Sequence, residues 1–423
     1  MFPYSMAQAL GLRCARTVAT LALLLAIVAC ATTPLSGGRT GAATARESAP
    51  PIPAVAAPPA AVPTPLLPAP PLVAPSPAGS STVITRPLPP AEAAPRAASD
   101  VIALLLPLES AAYRPAAEAV RAGFLAAAVR AGVASRVRVI GHGDDGVLPA
   151  LAAAADAGVA LVVGPLTRDD LKTVIAMAPS RPRMLALNQT DDGSAPPENV
   201  YALALSFDSD AAQLARAALA DGARSVAVIA SSGALQRRFA AAFGTEWQSA
   251  GRAPLMQFAF DANPVLLGQF RRELASRPPD AVLLAIDGDD IALAKSFLPP
   301  GRVYAVSHIA DDLPPTMLRD LEGVRYVEIP WIAMPQDLAP TAPTAPAAPP
   351  RIRYESPLQE RLYALGLDAL ALAQMLAEPV PPDRVELDGA TGHLSLMPSR
   401  TFARQGTMMV IHDGRTMPEP AGR

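Results

Sequence analysis

The sequence predicts a two-lobed α/β protein, with parallel sheets flanked by helices, behind a disordered tether rich in proline and alanine. Three observations predict it. From residue 100, short apolar runs such as "VIALLL" and "DAVLLAI" alternate with helix-length segments, the pattern of βαβ units whose sheet is covered on both faces. The alternation stops near 200 and restarts near 207, so two modules of similar size follow one another. Ahead of them, residues 31–99 hold 17 of the chain's 48 prolines, which removes backbone donors and prevents helix or sheet from propagating. The 423 residues leave room for these parts. A net charge of -3 gives no basic field for nucleic acid.

The first module opens with "VIALLL" (101–106), followed by Pro107. Pro115 stands where a helix can begin, and Val120, Phe124 and Ala127 or Ala128 recur at helical spacing after it. Strand "RVRVI" (136–140), a helix in "VLPALAAAADAG", strand "VALVVG" (159–164), a helix near 168–178 and strand "RMLALN" (183–188) complete this module. The second begins at a helix over 210–220, for which Asp208 or Ser209 is a candidate cap. It continues through "RSVAVIA" (224–230), a helix near 235–249, "LMQFAF" (255–260), a helix near 265–275, "DAVLLAI" (280–286), "RVYAVS" (302–307) and "VRYVEI" (324–329). A second Pro/Ala stretch lies within 337–352. A helix at 357–377 and paired short strands near 394–396 and 408–412 end the chain. Lobe 1 is therefore expected to comprise 100–206 with about 330–380, and lobe 2 to comprise 207–329 with about 381–415. A cleft is expected between them.

The first thirty residues carry export information. Arg13 and Arg16 precede the apolar "TVATLALLLAIVA", which is shorter than the roughly 20 residues of a spanning helix. It ends in "IVAC", with Ala29 before Cys30. This resembles a bacterial lipobox, which implies removal of a signal peptide at 1–29 and lipidation of Cys30; the alternative is an ordinary signal peptide. The chain's other cysteine, Cys14, lies in the segment to be removed, so the mature chain would have no disulfide partner for Cys30. Ala31 in place of Asp favours, by resemblance to lipoprotein sorting signals, the outer membrane. Residues 30–99 then read as a semi-stiff spacer with an extended reach of about 200 Å.

A family resemblance is carried by particular stretches. "IALLLPLESAAYRPAAEAVRAGFLAA", "GVALVVGPLTRDDL" and "RPRMLALNQTD" resemble units of the type I periplasmic-binding-protein fold. Together with "NVYALALS", "RRFAAAFGTEWQSAGR", "VYAVSHI", "DLEGVRYVEIPW", "RLYALGLDALALA" and "GATGHLSL", in this order, they resemble the C-terminal domain of LpoA-type lipoproteins, the LppC family. The resemblance covers about residues 100–415. It implies an outer-membrane lipoprotein that binds and activates a class A penicillin-binding protein. Enteric members carry a helical repeat domain ahead of this module, where the present sequence has its Pro/Ala tether.

Chemical motifs are sparse. "GHGDDG" supplies Gly141, Gly143 and Gly146 after a strand, the outline of a dinucleotide loop. The next strand ends "LVVGPLT" without the acid such a site needs for a ribose, and Asp144 and Asp145 would repel a pyrophosphate. A polar turn is the better reading. The four histidines are scattered, with no metal-ligand spacing among them, and "SHIADD" (307–312) reads as a solvated turn. No catalytic set, cofactor or metal is expected. If a cleft ligand exists, the strand ends place Pro107, Leu108, Gly164, Pro165, Leu166, Thr167, Asn188 and Gln189 on one side, and Ser231, Ser232 and His308 on the other. The resulting function classes are a tethered, non-catalytic activator of a peptidoglycan synthase and, as the alternative, a periplasmic receptor for an amino acid or peptide-like solute. An enzyme acting on the cell wall lacks any convergent acid–base pair in the sequence.

Overall fold

β1 (Ile102–Leu106) is apolar and buried throughout, as a strand in the middle of a covered parallel sheet must be. In the computed structural model it lies between β2 (Val137–Gly141) and β3 (Leu161–Val163). β4 (Met184–Ala186) and β5 (Val200–Ala202) complete a five-stranded sheet, order β2-β1-β3-β4-β5, with every pairing parallel. Alternation along β1 divides the lobe into two cores. Ile102, Leu104 and Leu106 face a core that includes Val120 and Phe124 of α1 (Arg114–Arg130). Ala103 and Leu105 face the core of α2 (Val147–Asp156) and α3 (Arg168–Met177). The structure describes residues 100–420 apart from 178–180, 191–192, 289, 312, 335–353 and 355; Cys30, the tether and the 337–352 insert lie outside the described residues.

The second lobe repeats the scheme. β6 (Val226–Ala230), β7 (Met256–Ala259), β8 (Ala281–Ala285), β9 (Arg302–Ala305) and β10 (Val324–Glu328) pair in parallel. α4 (Phe207–Ala220), α5 (Ala234–Ser249), α6 (Pro264–Ser276), α7 (Asp290–Ser296) and α8 (Pro315–Asp320) connect and flank them. β14 (Thr407–His412) adds to β10 antiparallel, and β15 (Arg415–Pro418) adds to β14, giving the order β15-β14-β10-β9-β8-β6-β7. Phe239, Phe243 and Trp247 of α5 are buried against this sheet. The cap of α4 differs from the expected one. Ser206 is the N-cap residue and its side chain makes no capping bond. Asp208 lies inside the first turn, where Arg238 holds it in a bidentate ion pair.

α9 (Pro330–Ala333) leads out of lobe 2, and α10 (Pro357–Leu376) returns to lobe 1. α10 is buried on most of its faces, from Tyr363 to Leu376, as an apolar helix without a polar stripe requires. It crosses α1 at a pair of glycines. A Cβ on Gly366 would overlap the carbonyl oxygen of Val120, and a Cβ on Gly123 would overlap that of Tyr363.

The end of the chain departs from the expectation. The strand near 394–396 does not pair with that at 408–412. β11 (Glu386–Asp388), β12 (His393–Leu396) and β13 (Phe402–Gln405) form a separate antiparallel sheet, tied to β5 by the Ala202–Thr401 bridge. Val385, Leu394 and Phe402 are buried in the core built on α1 and α10. Residues 381–405 therefore belong with lobe 1 and only 407–418 with lobe 2, placing the last crossover at Gly406 rather than near 380. Buried Asp368 of α10 fastens the hairpin turn by accepting from the backbone N–H groups of Ala390 and Thr391, both at 2.7 Å, and from the Thr391 hydroxyl at 2.5 Å. That anchor comes from lobe 1, which is why the hairpin stays there.

Candidate functional site

The strand ends of both sheets, the crossovers and the first turns of α10 line a cleft between the lobes. Two cavities open into it. One, of about 610 Å³, is lined by Leu166, Thr167, Asn188 and Gln189 of lobe 1, by Leu235 and Arg238 of α5, and by Leu358 and Leu362 of α10. The other, of about 380 Å³, is bounded by Phe207, Leu235, Ile329 and Leu358 and by the charged residues Asp210, Asp311, Glu328, Arg361 and Arg404, with His308 at its wall.

Four of the residues singled out from sequence, Leu166, Thr167, Asn188 and Gln189, come together in the larger cavity, but most of their side-chain polar atoms are already engaged. The Thr167 hydroxyl donates to Asp170 at 2.5 Å and accepts from the Asp170 N–H at 3.1 Å, closing the first turn of α3. Asn188 donates to the Leu166 carbonyl at 3.0 Å, while its own oxygen accepts from Arg168 at 3.2 Å and the Gln189 N–H at 3.0 Å. The Gln189 amide donates to Ser206 at 3.2 Å and crosses to Asp208 of lobe 2 at 3.1 Å. His308 lines the smaller cavity, edge-on to Phe207 with ring centroids 5.5 Å apart.

The remaining candidates sit elsewhere. Gly164 and Pro165 are buried at the end of β3, bonded to the backbone of Leu185 and Leu187. Pro107 is buried, and Leu108 is half-buried against the lobe 1 core. Neither cleft cavity includes these four residues. Ser231 and Ser232 line a cavity within lobe 2, beside Phe258, Phe260 and Arg237, so they do not face Thr167 and Asn188 across the cleft. The loop after β6 turns toward the edge strand β7 rather than toward lobe 1. The glycine-rich loop is a polar turn. Gly141 and Gly143 pack against the Glu109 side chain, and the Gly143 N–H donates to Asp145 at 3.0 Å.

The polar core of the cleft is a set of ion pairs. Arg361, on the second turn of α10, reaches out of lobe 1 to two acids of lobe 2. It donates to both oxygens of Asp311, at 2.6 and 2.8 Å, and to both oxygens of Glu328, at 3.1 and 2.5 Å. Only 13% of the Arg361 side chain and 5% of that of Glu328 remain exposed, so these charges are largely out of water. Asp311, in the turn after β9, keeps 28% of its side chain exposed, and its carboxylate is engaged by Arg361 rather than by solvent alone. Beside the crossovers, Arg404 pairs with Asp210, which also accepts from Ser307 at 2.6 Å. Arg404 further donates to the carbonyls of Thr391 and Ser206. Gln213 of α4 exchanges two hydrogen bonds with the backbone of Gly406. Burial pushes the Asp210 carboxyl above the usual range, with Arg404 and Ser307 acting against that rise. Burial raises Glu328 as well, opposed by Arg361. On Arg361 burial acts downward, but its bonds to Asp311 and Glu328 prevail and raise it.

Sequence reasoning missed these pairs, although two signals were present. Glu328 is a buried acid at the end of β10, whose other residues apart from Arg325 are uncharged, and Arg361 sits near the start of an apolar helix. A charge in such a place is buried with a partner or directed to a site. Among the described residues, no group of three or more His, Cys, Asp or Glu side chains is arranged to hold a metal ion. No described helix is long and apolar enough to cross a membrane.

Two α/β lobes joined by crossovers around a cleft define the type I periplasmic-binding-protein class. The solved structures similar to this chain have that fold. The C-terminal domain of LpoA (YraM) from Haemophilus influenzae, described as a regulator of PBP1A, aligns with a TM-score of 0.62 at 24% identity over 76% of this chain and 100% of that one. A Chromobacterium violaceum protein described as a "putative branched-chain amino acid ABC transporter" aligns with a TM-score of 0.63 at 35% identity, over 74% of this chain and 99% of that one. The profile of the family described as "LppC putative lipoprotein" matches residues 96–270 and 262–414, and the chain belongs to that family. Among curated relatives, "Penicillin-binding protein activator LpoA" of Edwardsiella ictaluri is 27% identical over 322 residues, 63% of this chain. The match spans 44% of the relative's own length, so the chain covers less than half of that protein.

Proposed function

We propose that this chain is a lipid-anchored outer-membrane protein that binds a class A penicillin-binding protein from the periplasmic side and raises its synthetic rate, without catalysis of its own. Membership of the LppC family along nearly the whole described region carries this reading. The cleft supports it. A zwitterionic solute needs a free cation for its carboxylate and a free acid for its ammonium. In this cleft Asp208, Asp210, Asp311 and Glu328 are held by Arg238, Arg404 and Arg361 of the same chain. Activation requires only that the partner bind the active conformation of the synthase better than the inactive one. A glycan-polymerising and crosslinking assay with purified synthase, run with and without the full chain, is expected to show a higher rate with it. An unchanged rate would remove the proposal.

The solute-receptor reading draws on the similarity to the Chromobacterium protein described as an amino acid transporter. Calorimetry against amino acids and muropeptides separates the two: saturable heat from one of these, with no rate change in the synthase assay, establishes the receptor. The anchor has its own test. A triacylated N-terminus buries enough methylene groups for firm membrane attachment. Cys30→Ser is therefore expected to move the protein from the outer-membrane fraction to the inner-membrane or soluble fraction. Unchanged outer-membrane recovery of that variant would exclude Cys30 as the anchor.

A further inference from the structure

Two-lobed receptors close like a hinge around a ligand that bonds to both lobes, and the ligand thereby sets their spacing. In this chain, bonds of that kind are made internally. Arg361 projects from α10, whose Tyr363–Leu376 face is packed into lobe 1, and directs its donors to Asp311 and Glu328 of lobe 2. The geometry is a double fork, which fixes direction as well as distance. Glu328 is braced in turn by the Ile329 N–H at 2.8 Å. Gln189 forms a second strut to Asp208, which Arg238 holds in place. Behind both, Arg404 and Gln213 tie the crossovers at Ser206 and Gly406 to α4.

We propose that Arg361 is a built-in clamp: its guanidinium occupies the bridging position between the lobes and holds them at one spacing, so that this spacing is a property of the folded chain and not of a bound solute. A desolvated pair of this kind adds little net stability relative to an apolar replacement, while losing one partner leaves a charge stranded. Its effect is on geometry. A lobe surface held at constant spacing is presented preorganised to a macromolecular partner, without an ordering cost at the moment of binding. The clamp stands independently of the activator reading, because its test measures lobe spacing and not synthase activity.

The test uses the full chain with Cys14→Ser and Cys30→Ser, spin-labelled through Lys172→Cys on α3 of lobe 1 and Arg271→Cys on α6 of lobe 2, both exposed positions. Pulsed dipolar spectroscopy on this otherwise unmodified chain is expected to give one narrow distance peak that added amino acids leave in place. Two populations, or a peak displaced by an amino acid, would overturn the clamp before any clamp residue is altered. The clamp variant is Arg361→Met with Asp311→Asn and Glu328→Gln, which removes all three charges and strands none. In it the peak is expected to broaden or split. Amide exchange in 203–206 and 405–407 should rise by about tenfold or more, while that in 102–106 and 281–285 stays protected. An unchanged narrow peak in a variant whose two sheets remain protected would show that the lobes are held without Arg361.

Discussion

Gly366→Ala is expected to lower the stability of the full chain by about 2 kcal/mol or more. The new Cβ would overlap the Val120 carbonyl and lie against the Phe124 backbone, and backbone, unlike the end of a side chain, cannot swing away. Alanine gains about 1 kcal/mol in helix propensity, and the expected loss is what remains after that gain is set against the clash. At roughly 2–4 °C per kcal/mol for a domain of this size class, the midpoint of thermal unfolding should fall by several degrees. Gly268→Ala is the control. Gly268 also lies in a helix, α6, but only the Arg272 guanidinium approaches its Cβ position, at 3.8 Å. There the same substitution should be neutral or stabilising by up to about 1 kcal/mol. Equal midpoints for Gly366→Ala and the wild type would mean that α1 and α10 do not cross as closely as described.

Arg404→Ala is expected to destabilise by about 3–5 kcal/mol, because it strands Asp210 in the interior. Asp210 would keep the Ser307 hydroxyl at 2.6 Å and lose its only direct cationic partner among the described residues. Arg404→Met combined with Asp210→Asn removes both charges and should recover most of the loss, which denaturant titration of the single and double variants measures as a coupling energy. The pH dependence has a definite sign. Burial already lifts the folded-state carboxyl of Asp210 above its ordinary value, and Arg404 opposes that lift. Without Arg404 the folded value rises further, so between the unfolded and folded values the native state binds the extra proton. The Asp210 contribution to the stability of Arg404→Ala should then be most favourable below the unfolded value and decline as pH rises through the folded one. Its deficit against the wild type is therefore expected to be larger at neutral pH than near pH 4. A deficit under 1 kcal/mol at neutral pH, or one that grows on acidification, would contradict the buried pair.

Functionally, these substitutions act on different links. Gly366 sets how lobe 1 packs, Arg404 holds the crossovers, and Arg361 spans the cleft. A partner that reads the relative placement of the lobes would respond to the last two even where both lobes stay folded.

What the sequence determined by itself is the alternation of parallel strands and helices, its restart near 207, and the general position of a cleft at the strand ends. These are local matters. "IALLL" and "AVLLA" are buried on both faces whatever their neighbours are, and Pro115 marks a helix start through its own fixed φ. The tertiary structure alone decided which lobe receives the final strands. "HLSL" and "TMMVIH" are both short, and neither carries a mark of its partner. Val385, Leu394, Phe402 and the Asp368 anchor settle that question from residues outside the strands. The cleft shows the same division. Thr167, Asn188 and Gln189 follow strand ends of lobe 1 and line a cleft cavity, but Ser231 and Ser232 follow a strand end of lobe 2 and do not, and neither that difference nor the engagement of the cleft residues by neighbouring groups was legible. Arg361 meets Glu328 across 33 residues, and Arg404 meets Asp210 across 194. Periodicity extends over a helix or a strand, whereas the choice of partner for a buried charge is made by whichever opposite charge the completed fold brings within a few ångströms.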